Sequence, residues 1–120
     1  MTDFALVTPD DHHDVRVITE RSAHYGDNVM YTLTLPFEFR SVQAFYPILF
    51  HQEDDGELLP VALFGFEKGE NLFLDESGWD AGYVPATVLR QPFLIGYQGS
   101  EIDKDEDKTR VLTIDMDHPR

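Results

Sequence analysis

The sequence predicts an α+β domain made mostly of antiparallel strands, with hairpins and one or two short helices; an all-β domain is the alternative. Short apolar runs rich in β-branched and aromatic residues recur between turn-forming residues. Apolar residues at helical spacing occupy only brief segments. Short connections of this kind join antiparallel neighbours, whereas a parallel sheet needs long crossovers. The length of 120 residues fits one domain. We expect an irregular lead-in over residues 1–14 and a single domain over residues 15–120.

The predicted strands are apolar runs or alternating segments bounded by turn residues. The clearest pair is joined by an acidic segment that contains Asp55-Gly56, which predicts a β-hairpin with a longer loop. Other segments alternate apolar and polar residues, as half-buried strands do. A charged loop is expected between the last two strands, over residues 100–110. The predicted strands cover residues 15–18, 29–35, 48–51, 58–66, 71–74, 93–97 and 111–114.

Two short helices are predicted. Apolar residues at helical spacing begin after Pro36 and stop before Pro47. A proline in the first turn of a helix loses no hydrogen bond, and the residue before a proline avoids helical geometry. We therefore expect one helix at about residues 37–45. The second is expected within residues 83–89, with Pro85 near its start.

The charge balance narrows the classes of partner. The chain has 23 acidic and 9 basic residues, which gives a formal net charge of −14. Such a charge repels the phosphates of nucleic acids and of anionic membrane surfaces. We therefore expect no nucleic-acid binding, whereas cationic or metal-ion partners remain compatible with the charge.

The sequence lacks cysteine, a signal-peptide pattern and a long apolar run, and these absences bear on its chemistry and its compartment. It has no cysteine, which excludes disulfides, zinc-thiolate sites and a cysteine nucleophile. The N-terminus has an acidic residue, Asp3, where a signal peptide needs positive charge, and no apolar run approaches the length of a membrane span. We expect a cytoplasmic protein without membrane insertion.

One group of polar and aromatic residues is a candidate for either a ligand site or a structural cluster. Asn71 lies between two apolar segments, where its side-chain amide can hold a turn, and Glu70 can accept backbone N–H groups. The alternative is a ligand-binding pair beside the nearby aromatic residues. Arg90 is expected to form an internal ion pair with Glu70 or Asp80. The candidate cluster consists of Glu70, Asn71, Trp79, Asp80, Tyr83 and Arg90.

No motif predicts a catalytic residue or a cofactor. The serines lack a Gly-x-Ser-x-Gly context, and no Gly-Lys-Ser/Thr follows Gly65 and Gly69. These absences favour a protein that is not an enzyme.

Three alternating aspartates, Asp103, Asp105 and Asp107, have the start of a calcium-loop pattern. However, Lys108 occupies the position of the required glycine and Ile114 that of the closing glutamate. We therefore expect a solvated acidic loop and no dedicated metal site, with weak divalent-cation binding as the alternative.

Three segments together resemble the SapC family of bacterial proteins. They are VALFGFEKGENLFL at residues 61–74, WDAGYVP at 79–85 and RQPF at 90–93. The resemblance extends over most of the chain, back to about residue 13 and forward to Asp115. Family members continue past the position of Asp117 with a mostly helical segment. The resemblance therefore implies a short member or the N-terminal portion of a longer protein.

The family takes its name from genes linked to the export of surface-layer proteins. The resemblance therefore implies a non-catalytic accessory or interaction protein with a protein partner. Similar proteins are also encoded near flavin-dependent halogenases and oxygenases. This association implies the alternative, a small-molecule binder or an accessory of such enzymes. Neither association brings catalytic residues to this sequence.

Overall fold

The computed structural model describes residues 2–98 and 108–120. Contacts divide the chain into two compact units, Thr19–Arg90 and Met1–Ile18 with Gln91–Arg120. All strand pairs are antiparallel, and the helices are single turns, which confirms the predicted α+β class. The strands are β1 (Phe4–Leu6), β2 (Tyr31–Leu33), β3 (Ile48–Gln52), β4 (Leu58–Leu63), β5 (Leu74–Asp75), β6 (Gly78–Trp79), β7 (Phe93–Gln98) and β8 (Thr109–Asp115). The helices are α1 (Pro9–His12), α2 (Phe39–Val42) and α3 (Ala86–Leu89), with 3₁₀ turns at Ala23–Tyr25 and Pro36–Glu38.

The unit Thr19–Arg90 contains a three-stranded sheet with the order β2-β4-β3. Strands β3 and β4 form the predicted hairpin, with Ile48 opposite Ala62 and Gln52 opposite Leu58. Gly56 has a φ of 88° in the connecting turn, a backbone conformation that glycine adopts without strain. The hairpin prediction is therefore confirmed, because turn chemistry and apolar patterning agree in this segment.

Both predicted helical segments contain a helical turn. A 3₁₀ turn that starts at Pro36 leads into α2, and α3 follows Pro85 directly. A second hairpin, β5–β6, closes where Asp75 Oδ1 accepts a hydrogen bond from Ser77 N at 2.8 Å. The turn at residues 75–78 joins these two short strands. The short strand expected at residues 71–74 begins only at its last residue, since Asn71 uses its side chain to make a turn instead.

The core of this unit is aromatic. Tyr46, Phe64, Phe73 and Trp79 pack edge to face, with ring centroids 4.7 to 6.5 Å apart. Edge-to-face packing places the positive edge of one ring against the negative face of another. Smaller buried side chains complete the core: Val42, Ala62 and Val88.

The unit that contains the two ends of the chain has a sheet with the order β1-β8-β7. Residues 4–6, which we expected to be irregular, form β1 because β8 supplies a partner strand more than 100 residues away in sequence. The strand predicted at residues 15–18 is absent, so this prediction was wrong. Val15 N donates to His12 O, and Ile18 O accepts from the Arg120 guanidinium, so these backbone groups are not available for a strand ladder.

No helix within residues 2–98 and 108–120 combines the length and the apolar character needed to cross a bilayer.

Candidate functional site

A buried carboxylate, Glu38, accepts four hydrogen bonds and is only 2% exposed. Its Oε2 accepts from Thr34 Oγ1 at 2.9 Å and from Leu35 N at 3.2 Å. Its Oε1 accepts from Tyr83 OH at 2.8 Å and from Ala86 N at 3.0 Å. Glu38 therefore ties the segment that follows β2 to the first residue of α3.

The local fold around Pro36 directs this carboxylate inward. Glu38 ends the 3₁₀ turn that begins at Pro36, and its own N–H donates to Leu35 O at 3.0 Å. This tight turn places the side chain back over Thr34 and Leu35. The same turn brings the carboxylate to the backbone N–H of Ala86 at the start of α3, a donor that has no acceptor within the helix.

The electrostatics of the cluster favour an ionised Glu38. Burial by itself raises the pKa of Glu38, but the hydrogen bonds from Ala86, Tyr83, Thr34 and Leu35 together hold its pKa below the ordinary value of 4.5. The bond to Glu38, followed by burial and the nearby negative charge, raises the pKa of Tyr83. At neutral pH the arrangement is a carboxylate held by neutral donors, which anchors structure and has no proton to donate.

This arrangement predicts an acid-sensitive contribution to stability. A carboxyl with a lowered folded pKa stabilises the fold fully above its unfolded value of 4.5 and loses that contribution as pH falls through the folded pKa. We expect the difference in unfolding free energy between the wild type and Glu38→Gln to be constant near neutral pH and to shrink below 4.5. Urea unfolding of both proteins between about pH 3 and pH 7 measures it. A difference that is independent of pH would contradict an ionised Glu38.

A second series of hydrogen bonds connects the aromatic core to the segment before α3 that contains Tyr83. Trp79 Nε1 donates to Tyr46 OH at 2.7 Å, and Tyr46 OH donates to the backbone oxygen of Tyr83. Burial raises the pKa of Tyr46, although the bond from Trp79 acts in the opposite direction. Trp79 and Tyr83, which the sequence analysis grouped, are thus connected through Tyr46, which directly follows the predicted helix and was not among the candidate residues.

Glu70 and Asn71 hold turns through their side chains. Asn71 Nδ2 donates to Asp27 O at 2.9 Å, while its Oδ1 accepts from Phe73 N at 3.0 Å. Glu70 Oε1 accepts from Phe66 N at 2.7 Å. In the described part of the chain, no hydrogen bond joins Glu70 or Asn71 to Trp79 or Tyr83.

The remaining two candidate residues lie on the surface. Asp80 is exposed, and its backbone N–H donates to Phe73 O at 2.6 Å. Arg90 is exposed at the end of α3, where its N–H donates to Ala86 O. The six candidate residues therefore divide between turn-forming contacts, the chain through Tyr46, and exposed positions.

The sequence analysis did not single out two buried acids, Glu38 and Asp27. Asp27 is buried and contacts Arg21 at 3.2 Å and Ser22 N at 2.9 Å. An acid flanked by apolar residues, as in Leu35-Pro36-Phe37-Glu38-Phe39, is the signal that could have identified Glu38.

Two surface depressions lie in the unit Thr19–Arg90. The first has a volume of about 140 Å³ and an almost wholly apolar lining, which comprises Pro47, Leu63, Phe64, Gly65, Phe66, Leu72 and Phe73. The second is more open, with a volume of about 490 Å³, and is lined by Asn28, Val29, Met30, Tyr31, Lys68 and Gly69.

Residues 2–98 and 108–120 contain no group of three or more His, Asp or Glu side chains that could bind one metal ion. The alternating aspartates Asp103, Asp105 and Asp107 lie outside the described residues.

In a comparison with protein families, the SapC family model aligns with residues 7–120. The matched range is nearly the whole chain and includes the three segments that carry the resemblance. Comparisons with curated proteins and with solved structures gave no match.

Proposed function

The chain belongs to the SapC family, and from this membership we propose that it is a non-catalytic accessory protein that binds another protein, in the export of a surface-layer protein. The observation that carries the proposal is the small apolar depression next to β3. A protein-binding role needs apolar surface that is exposed before binding and buried afterwards.

The rim of this depression meets that requirement. Phe66 is 77% exposed and Leu72 is 61% exposed, although both are large apolar side chains. Burying apolar surface favours association, and exposed apolar patches are characteristic of interaction sites. The loop between these residues is held by hydrogen bonds from Leu72 N to Phe64 O and from Phe66 N to Glu70, so the rim is preorganised.

The polar residues support a non-catalytic role. The Glu38 carboxylate is occupied by four internal donors, and its lowered pKa disfavours proton donation. Asn71 and Glu70 are likewise occupied by backbone groups. These contacts stabilise the loops that surround the depression.

The test is quantitative capture of partners from the source bacterium with the wild type and with the double variant Phe66→Ser/Leu72→Ser. We expect an export component or its substrate to be enriched by the wild type. We expect the double variant to weaken binding of that purified partner by about tenfold or more, as loss of a central apolar anchor does.

The matched control is Phe37→Ser, because Phe37 is 75% exposed and lies outside the depression. It should bind the partner like the wild type. The proposal would be contradicted if Phe37→Ser and the double variant lost the same affinity for the partner. It would also be contradicted if the double variant bound the partner as tightly as the wild type.

The larger depression favours a second candidate function, a small-molecule binder associated with flavin-dependent enzymes. Its volume of about 490 Å³ falls in the range of ligand sites, and Lys68 could pair with an anionic group. A panel of small phosphates and carboxylates should raise the melting temperature of the wild type but not of Lys68→Ala. No shift at millimolar ligand would count against this candidate.

A further inference from the structure

Among the described strands, β3 has one edge that pairs with no other strand. It lies at one side of the β2-β4-β3 sheet, so only one of its edges faces β4. Leu63 N donates to Pro47 O at 3.0 Å, and Glu53 N donates to Glu57 O at 2.8 Å. The odd-numbered residues from 47 to 53 therefore occupy the positions that bond to β4. Because bonding alternates along an antiparallel strand, the N–H and C=O groups of residues 48, 50 and 52 point away from β4.

The opposite edge of the sheet is covered. Thr87, in α3, donates from Oγ1 to Leu33 O at 2.6 Å and shares a 2.7 Å hydrogen bond with Thr32. Helix α3 thus occupies the outer side of β2. The sheet is therefore closed on one edge by its own chain.

The edge of β3 lacks the usual protection. Exposed edges normally contain proline, lysine, a bulge or very few residues, whereas β3 is the five-residue sequence Ile-Leu-Phe-His-Gln. Phe50 is 69% exposed and Leu49 is 48% exposed. Within the unit Thr19–Arg90, no hydrogen bond reaches the outward backbone groups of residues 48, 50 and 52.

The two ends of this edge differ in chemistry. The apolar depression begins at Pro47, the residue before β3. At the other end, the loop at residues 53–57 has four exposed carboxylates and no basic residue. Five residues of strand separate the two, a distance of about 17 Å.

We propose that β3 is a strand-addition site for an extended segment of a protein partner, with an apolar residue that enters the depression and lysines or arginines that meet the acidic loop. Main-chain hydrogen bonds supply affinity in this mode of binding, and side chains at the ends supply specificity and direction. This inference rests on the proposed function and specifies its partner. Charge favours a basic segment over a second copy, because two copies would each bring a formal charge of −14.

The probe is a synthetic peptide of alternating valine and threonine, with two leucines at one end and three lysines at the other. Its control has three glutamates in place of the lysines. We expect the lysine peptide to bind at low salt at least about tenfold more tightly than the glutamate peptide, with a difference that shrinks as salt is raised. Fluorescence anisotropy measures both affinities.

Amide hydrogen exchange locates the bound peptide. Binding should slow exchange about tenfold or more at the outward residues 48 and 50, and at 52 if the ladder extends to the strand end. Leu49 and His51, whose amides already face β4, should change little. This alternation distinguishes strand addition from a contact that involves side chains alone.

A matched pair of variants tests the ladder itself. Phe50→Pro removes an outward N–H and keeps the bonds to β4, whereas Phe50→Thr loses the same ring and retains the N–H. We expect Phe50→Pro to bind the peptide about tenfold more weakly than Phe50→Thr. A third variant, with Glu53→Gln, Asp54→Asn and Glu57→Gln, leaves β3 unchanged. In this third variant, the affinity for the lysine peptide should lose most of its dependence on salt.

Three results would overturn this inference. They are equal binding of the two peptides, equal affinity of the two Phe50 variants, and a protein dimer that protects the same outward amides without peptide. If the peptide does not bind, but the Phe66→Ser/Leu72→Ser variant still loses binding of a captured partner, only this inference is wrong. If no partner depends on Phe66 and Leu72, the proposed function falls.

Discussion

Replacing Glu38 with alanine is expected to lower the free energy of unfolding by about 3–5 kcal/mol. The change removes the acceptor of four donors in a site where Glu38 and Thr34 are fully enclosed. Each donor left without a partner in a buried site costs about 1–3 kcal/mol, although the partly exposed Tyr83 can recover some of this by binding water. The effect extends to α3, because Ala86 N loses its partner.

Urea unfolding at pH 7 measures this effect, with Glu38→Gln as a graded comparison. Glutamine keeps the shape but offers one acceptor oxygen and one donor group, so we expect an intermediate loss of about 2–3 kcal/mol. Glu76→Ala, at an exposed turn position, is the control and should change stability by no more than about 0.5 kcal/mol. A loss for Glu38→Ala that matches the control would show that the four bonds contribute no net stability.

Replacing Gly65 with alanine is expected to destabilise the protein by about 2–4 kcal/mol. An added Cβ would lie 2.9 Å from the carbonyl carbon of Glu70 and closer still to its oxygen. These are backbone atoms, and the segment that contains them is held by bonds from Glu70 N to Glu67 O and from Leu72 N to Phe64 O. The loop therefore has to move as a whole to admit one methyl group.

Gly69→Ala separates this steric effect from a conformational one. Gly69 has a φ of +83°, yet an added Cβ there meets no atom within 4 Å. We expect a loss of only about 1 kcal/mol, the cost of a left-handed conformation for alanine. Thermal and urea unfolding of both variants give the comparison. If Gly69→Ala lowers the free energy of unfolding more than Gly65→Ala does, close packing against Glu70 is not the reason for glycine at position 65.

Features that depend on neighbouring residues could be predicted well. The β3–β4 hairpin follows from two apolar runs around an acidic Asp-Gly turn, and both helical segments follow from proline position and apolar spacing. The turn around Gly69 follows from the charged residues and glycine between two apolar runs. These features were accessible because local backbone preferences and the apolar pattern indicate the same structure.

Features that depend on distant partners could not be predicted in this way. The segment at residues 15–18 alternates like a strand but pairs with no strand in the described ranges, whereas Phe4–Leu6 looks irregular and pairs with β8. The role of Glu38 depends on Tyr83 and Ala86, which lie 45 and 48 residues away. A local sequence pattern indicates which secondary structure a segment prefers, but it does not identify the distant residues with which that segment pairs.

The sequence by itself determined the α+β class, the hairpin at residues 48–63 and, through three specific segments, membership of the SapC family. Only the tertiary structure decided that Glu38 is buried, that Tyr46 connects Trp79 to Tyr83, and that one edge of the sheet is closed by Thr87 while β3 is exposed. The physical reason is that burial and hydrogen-bond saturation are properties of groups brought together by the fold. Local patterns are set by backbone and side-chain preferences within a few residues.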